Sequence, residues 1–121
     1  MTSCSNTGVV ENSIATAITV SEAQAFHGRA GVEFVDPRPA EAIAATTGKI
    51  PGARVIPITD IEAGTLPPAF ADRSIHIVAS CQAGPMASRA AAAFAKLGFA
   101  RVSWIYGGTQ AWIEAGLPAV R

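Results

Sequence analysis

Ser74-Ile75-His76-Ile77-Val78-Ala79-Ser80-Cys81-Gln82-Ala83-Gly84-Pro85-Met86, continued as an alanine-rich run to Leu97, decides the fold. The apolar run Ser74 to Ser80 reads as a buried strand, Cys81 to Pro85 as a tight loop, and Met86 to Leu97 as a helix. This layout makes a reactive sulfur. A cysteine at a helix start sits among backbone N–H groups that lack intrahelical partners, at the positive end of the macrodipole, and both favour the thiolate. An anion carried on that sulfur would be held by the same donors. A free cysteine can equally serve as a small buried hydrophobe. What favours function for Cys81 is its place past the carboxyl end of a central strand, where open α/β sheets put their ligands.

Working outward, Ala17 to Val20 reads as a first strand, and Ser21 with Gln24 forms a capping box for a helix through His27. Val32 to Asp36 is a second strand, closed by Pro37 and Pro39, which supply no backbone donors. Ala40 to Ala45 is a short helix, and Arg54 to Ile56 a third strand. Thr59 to Gly64 makes one or two helical turns before Leu66-Pro67-Pro68 forces an extended loop. After the central strand, the helix to Leu97 carries Met86, Ala90, Phe94 and Leu97 at helical spacing, which suits packing on a sheet. Arg101 to Tyr106 is a fifth strand, and Thr109 to Ala115 a last helix, ended by Gly116 and Pro118. Strands alternating with helices predict an α/β fold with a mostly parallel five-stranded sheet covered on both faces.

The 121 residues suffice for one domain with a proper core. Residues 15–121 are expected to form it, and residues 1–14 a mobile tail. Nine basic residues balance nine acidic ones without a basic cluster, so nothing favours nucleic acid. Met1 to Asn12 has neither a basic start nor a continuous apolar stretch, unlike a secretory signal. No apolar run is long enough to span a bilayer, and two cysteines are too few for a disulfide scaffold, so the expected setting is cytoplasmic and reducing. Cys4, in the polar tail, is expected to be a bystander, with a resolving role for Cys81 as the alternative.

Four stretches resemble the rhodanese family in its expected order: Val35-Asp36-Pro37-Arg38, Gly48-Lys49-Ile50-Pro51-Gly52-Ala53, the loop Cys81 to Gly84, and Gly107-Gly108-Thr109-Gln110-Ala111-Trp112 with Gly116-Leu117-Pro118. The likeness covers about Ile18 to Val120. It implies a rhodanese-like fold and a sulfurtransferase in which Cys81 takes a sulfane sulfur from thiosulfate, a polysulfide or a protein persulfide. The persulfide would then pass to cyanide or a thiol acceptor, with a protein sulfur carrier as one candidate partner. The resemblance implies that Gln82, Ala83, Gly84, Met86 and Ala87 form the binding loop and that Asp36 and Arg38 support it. It implies no metal and no organic cofactor. For Asp36 and Arg38 the residues alone equally allow a local ion pair that pins a turn.

The chain departs from the family at Met86 and Ala87, where many members carry arginine and serine, and at Lys49, where a histidine is typical. Pro85 removes one loop donor. A loop without cations is expected to serve thiosulfate poorly, and Met86 to offer a less charged donor an adaptable apolar wall. Two rival functions stand beside this one: a non-catalytic rhodanese module that binds or regulates, and a cysteine phosphatase or arsenate reductase. The latter needs an arginine six residues past the nucleophile to clamp an oxyanion; that position is Ala87, and Arg89 comes two residues late. Trp104 and Tyr106 share a strand face, from which either could rim the pocket; core packing is the expectation for Trp104 and Trp112. His76 lies five strand residues from Cys81, about 16 Å, too far to act as its base. His27 is expected on a helix surface.

Overall fold

The computed structural model describes residues 15–121, and the expectations for residues 1–14, Cys4 included, lie outside them. In chain order the elements are β1 (Thr16–Ile18), α1 (Val20–Phe26), β2 (Val32–Asp36), α2 (Ala40–Ala45), β3 (Arg54–Val55), α3 (Ile58–Ala63), a 3-10 turn (Pro68–Ala71), β4 (His76–Ala79), α4 (Pro85–Lys96), β5 (Arg101–Ile105) and α5 (Gly108–Glu114). One sheet runs in the order β1-β5-β4-β2-β3, and all its pairings are parallel. This is the five-stranded α/β architecture that the alternation of strands and helices predicts. Every residue of the central β4 is buried, as a continuous apolar run demands when helices cover both faces.

On one face, Val35, Ile77, Ala79 and Val102 pack against α3 and α4, together with Phe70, Phe94 and Phe99. Those three rings meet at centroid distances of 5.4 to 6.2 Å. On the other face, Phe34, Val78 and Ile105 pack against Ala23 of α1 and Trp112 of α5. The buried stripe of α4 is Ala87, Ala90, Ala91 and Phe94. Met86 and Leu97 stand at its edges, so the helix is turned slightly from the expected phase. Alanine on that stripe lets the helix axis lie close to the strands that position Cys81.

The first helix starts earlier than its expected cap. Thr19, not Ser21, is the N-cap, and Thr19 and Glu22 exchange both hydrogen bonds of a capping box. Pairing decides this: β1 ends where Ile18 pairs with Ile105, so Thr19 is the first residue free to cap. The loop Leu66 to Pro68 tightens into the 3-10 turn that buries Phe70. No helix among the described residues is long and apolar enough to cross a membrane.

His76 opens β4 inside the core. Its Nε2 lies 2.8 Å from Ser103 Oγ, its ring meets Phe26 edge-on, and its buried Nδ1 has no partner among the described residues. Burial pushes the imidazole below its ordinary value, and Arg101 adds repulsion. The folded protein therefore holds fewer protons here than the unfolded chain. Stability from this site is complete above the unfolded value of about 6.5 and declines as pH falls from there toward the lowered folded value. The urea midpoint should drop between about pH 7.5 and 5.5, and His76→Phe should make that drop shallower. Equal slopes in the two proteins would remove His76 as the cause.

Candidate active site

Two neighbouring strands send the chain in opposite directions, β4 through α4 to β5 and β2 through α2 to β3. Their carboxyl ends therefore open a crevice, the place where such sheets bind ligands. Asp36 ends β2 on one side of it, and Cys81 follows β4 on the other. Cys81 is a free thiol and is 3% exposed.

The loop after Cys81 curls back on the sulfur. Gly84, at φ 130° and ψ −42°, is the N-cap of α4, and Pro85 opens the helix at a position whose N–H has no helical partner. The turn brings the Gly84 N–H to 3.1 Å from Cys81 Sγ, to which it donates. The N–H groups of Gln82, Ala83, Met86 and Ala87 have no acceptor among the described residues.

A second element holds this shape. At the start of α5 the Thr109 N–H donates to the Cys81 carbonyl at 2.8 Å, and the Gln110 N–H donates to the Gln82 carbonyl at 3.0 Å. Each peptide is planar and trans, so a carbonyl drawn toward α5 turns the following N–H away from it. The Gln82 and Ala83 donors thus face away from α5. The hydroxyls of Thr109 and Ser80 meet at 2.8 Å beneath the loop. Gly108 makes the approach possible: a Cβ there would lie 2.6 Å from Gln82 O and 2.7 Å from Cys81 O.

Beside the loop lies a cleft of about 590 Å³. Ala83, Gly84 and Gly107 line it with Pro85, Trp104 and Tyr106, and Ser88 adds a hydroxyl. No charged residue lines it among the described residues. Trp104 does both things: half-buried, it packs against the core as expected and also lines the cleft, 6.4 Å from the Tyr106 ring. Trp112 is a core residue as expected, and its Nε1 donates to the Pro118 carbonyl.

The other named residues fall into three groups. Asp36 and Arg38 form a buried fork, Nη2 to Oδ2 at 2.6 Å and Nε to Oδ1 at 2.9 Å. Arg38 also donates to the hydroxyls of Thr46 and Thr47 and to the Gly48 carbonyl. The pair therefore braces the segment after α2, and among the described residues it makes no hydrogen bond to the cysteine loop. Met86 packs against the core under α4 and Ala87 is fully buried, so neither side chain is a wall of the cleft. Arg89 is exposed and forked onto Glu62 of α3 at 2.6 and 2.7 Å. That hydrogen bond holds the Glu62 carboxyl below its ordinary value.

Lys49 and His27 reach backbone carbonyls through their side chains. Lys49 donates to the Ala53 carbonyl. His27 is not a free surface residue: its Nε2 lies 2.8 Å from the Pro51 carbonyl, and its ring meets Phe34 and Trp112 edge-on.

The sequence pattern of the rhodanese-like domain family matches residues 19–115. The chain belongs to that family. In this rhodanese-like domain two of the four sequence stretches meet at the cysteine loop, and Gly107 to Gln110 gain a role that the motif alone did not state. Among curated proteins no sequence matches. A solved protein of unknown function from Rhodopseudomonas palustris, described as a possible tyrosine phosphatase, is 30% identical, with 91% of this chain and 87% of that one covered and a TM-score of 0.78. A thiosulfate sulfurtransferase from Pseudomonas aeruginosa is 26% identical at a TM-score of 0.71; the match covers 87% of this rhodanese-like domain and 19% of that chain. The human single-domain sulfurtransferase shares the fold, with 24% identity, 84% and 97% coverage and a TM-score of 0.65.

Proposed function

We propose that the protein is a sulfurtransferase that carries a sulfane sulfur as a Cys81 persulfide. The observation that carries this reading is the Gly84 N–H aimed at Cys81 Sγ at 3.1 Å, inside a loop whose carbonyls are drawn off to α5. Such a loop suits an anionic persulfide, because donors fixed before the reaction need no reorganisation when the charge moves outward by one atom. The Cys81 thiolate attacks the outer sulfur of a donor such as thiosulfate, a polysulfide or a protein persulfide. The donor's S–S bond breaks and its pair leaves on sulfite or a thiolate. An acceptor thiolate or cyanide then attacks the outer sulfur of the persulfide and returns the Cys81 thiolate. A reducing, cytoplasmic setting suits this cycle, since it supplies thiol acceptors and keeps Cys81 free.

The phosphatase description of the similar protein finds little support in this chain. Ala87 stands where an oxyanion-clamping arginine belongs, and Arg89 is engaged by Glu62. A module that only binds would not need a free thiol under a fixed donor. The test is intact-mass analysis after exposure to thiosulfate or inorganic polysulfide. One sulfur atom should be gained by the protein and by Cys4→Ser, and none by Cys81→Ser. Gain that persists in Cys81→Ser, or no gain by any donor, overturns the proposal.

A further inference from the structure

We propose that the cleft beside the cysteine loop selects a small organic persulfide with an apolar, ring-sized body, and that Tyr106 and Trp104 are its specificity-determining residues. This rests on the sulfur-transfer reading above and goes on to name the donor class. Three observations carry it. The cleft, at about 590 Å³, falls within the usual range for small organic ligands and far exceeds what an inorganic sulfur donor fills. Its side walls are Pro85, Trp104 and Tyr106, with the hydroxyls of Ser88 and Tyr106 as polar groups and no charged residue among those described. Tyr106 is 72% exposed and stands 6.4 Å from the half-buried Trp104 between ring centroids, an aromatic pair beside the cysteine loop.

A ligand body laid against the exposed Tyr106 ring and the open edge of Trp104 removes apolar area from water and stacks on aromatic surface. An anionic body would lose its hydration here without meeting a cation. In the reaction the Cys81 thiolate attacks the outer sulfur of R–S–SH, the donor's S–S bond breaks with its electron pair leaving on R–S⁻, and the proton stays with the transferred sulfur. Atoms and charge balance, and no external oxidant or reductant takes part.

The test compares methyl, benzyl and carboxymethyl hydrodisulfides as donors to the full chain, following Cys81 persulfidation by intact mass. Each rate is divided by that of the same donor with N-acetylcysteine, which removes intrinsic reactivity. The benzyl donor should exceed the methyl donor by about five- to tenfold, the scale of one aromatic contact, and the carboxymethyl donor should be slowest. Because Tyr106 is exposed, Tyr106→Ala leaves the core intact; it should cut the benzyl rate about fivefold and the methyl rate less than twofold. Equal normalised rates for the three donors, or a Tyr106→Ala variant that slows benzyl and methyl alike, overturn the donor assignment while sulfur transfer stands. If no donor modifies Cys81, the sulfurtransferase reading itself fails.

Discussion

Gly108→Ala is expected to destabilise the protein by about 2–5 kcal/mol and to abolish sulfur uptake by Cys81. The backbone at Gly108 has φ +65°, where an alanine costs about 1–2 kcal/mol through its Cβ alone. The added carbon would also lie 2.6 and 2.7 Å from two carbonyl oxygens, and relieving such overpacking costs about 1–3 kcal/mol more. Those oxygens belong to Gln82 and Cys81, so relief means moving the loop off α5 and breaking the bonds from Thr109 and Gln110. The Gly84 donor moves with it. Gly116→Ala is the matched control, since φ is +88° but nothing lies within 4 Å of the new Cβ. It should cost about 1–2 kcal/mol and leave uptake intact. Denaturant midpoints with intact-mass uptake separate the two variants, and a Gly108→Ala protein that matches Gly116→Ala in both would refute the role given to this approach.

The second large effect lies at the buried fork. Arg38→Met should lose about 3–5 kcal/mol, because it leaves the Asp36 carboxylate without its partner in a nearly dry site. Arg38→Lys should recover little of it. Arg38 uses Nε, Nη1 and Nη2 at once, toward both Asp36 oxygens, Thr46, Thr47 and Gly48, and a single ammonium cannot reproduce that spread. Asp36→Leu with Arg38→Met should be less damaging than the sum of the two single changes, since it removes both charges together. Chemical denaturation of the four proteins measures the coupling. A strictly additive double variant would mean that the fork contributes no pairwise stability.

The reach of sequence reading can be followed residue by residue. Cys81 was legible because strand, loop and helix are written next to one another, each with its own periodicity. The four motif stretches carried the fold because they recur at the strand ends. Thr19 was not separable from Ser21: each is a hydroxyl residue with a carboxyl or amide side chain three positions later, and only the register of β1 on β5 chooses between them. For Trp104 the core contact was legible, but its share in the cleft was not, because alternation reports which face a side chain takes and not what lies beyond the strand end. His27 looked exposed because its partners, Pro51, Phe34 and Trp112, come from three other parts of the chain. Met86 and Ala87 are adjacent in sequence, and the small rotation of α4 that buries Ala87 follows from tertiary packing. The role of α5 in shaping the loop was hidden for the same reason, since a backbone N–H that donates to a distant carbonyl leaves no trace in side-chain identity.

That last contact also sets an order in time. During synthesis the cysteine loop emerges well before residues 108–114, and until α5 docks the carbonyls of Cys81 and Gln82 have no N–H groups to hold them. The pairing of β1 with β5 waits equally long, because Thr16 meets Ser103 and Ile18 meets Ile105 across most of the chain. A nascent chain therefore carries its thiol in an unshaped loop. The shape that the loop takes around Cys81 is thus completed only with the closure of the fold, and a ribosome-bound intermediate lacking α5 lacks the two bonds that hold it.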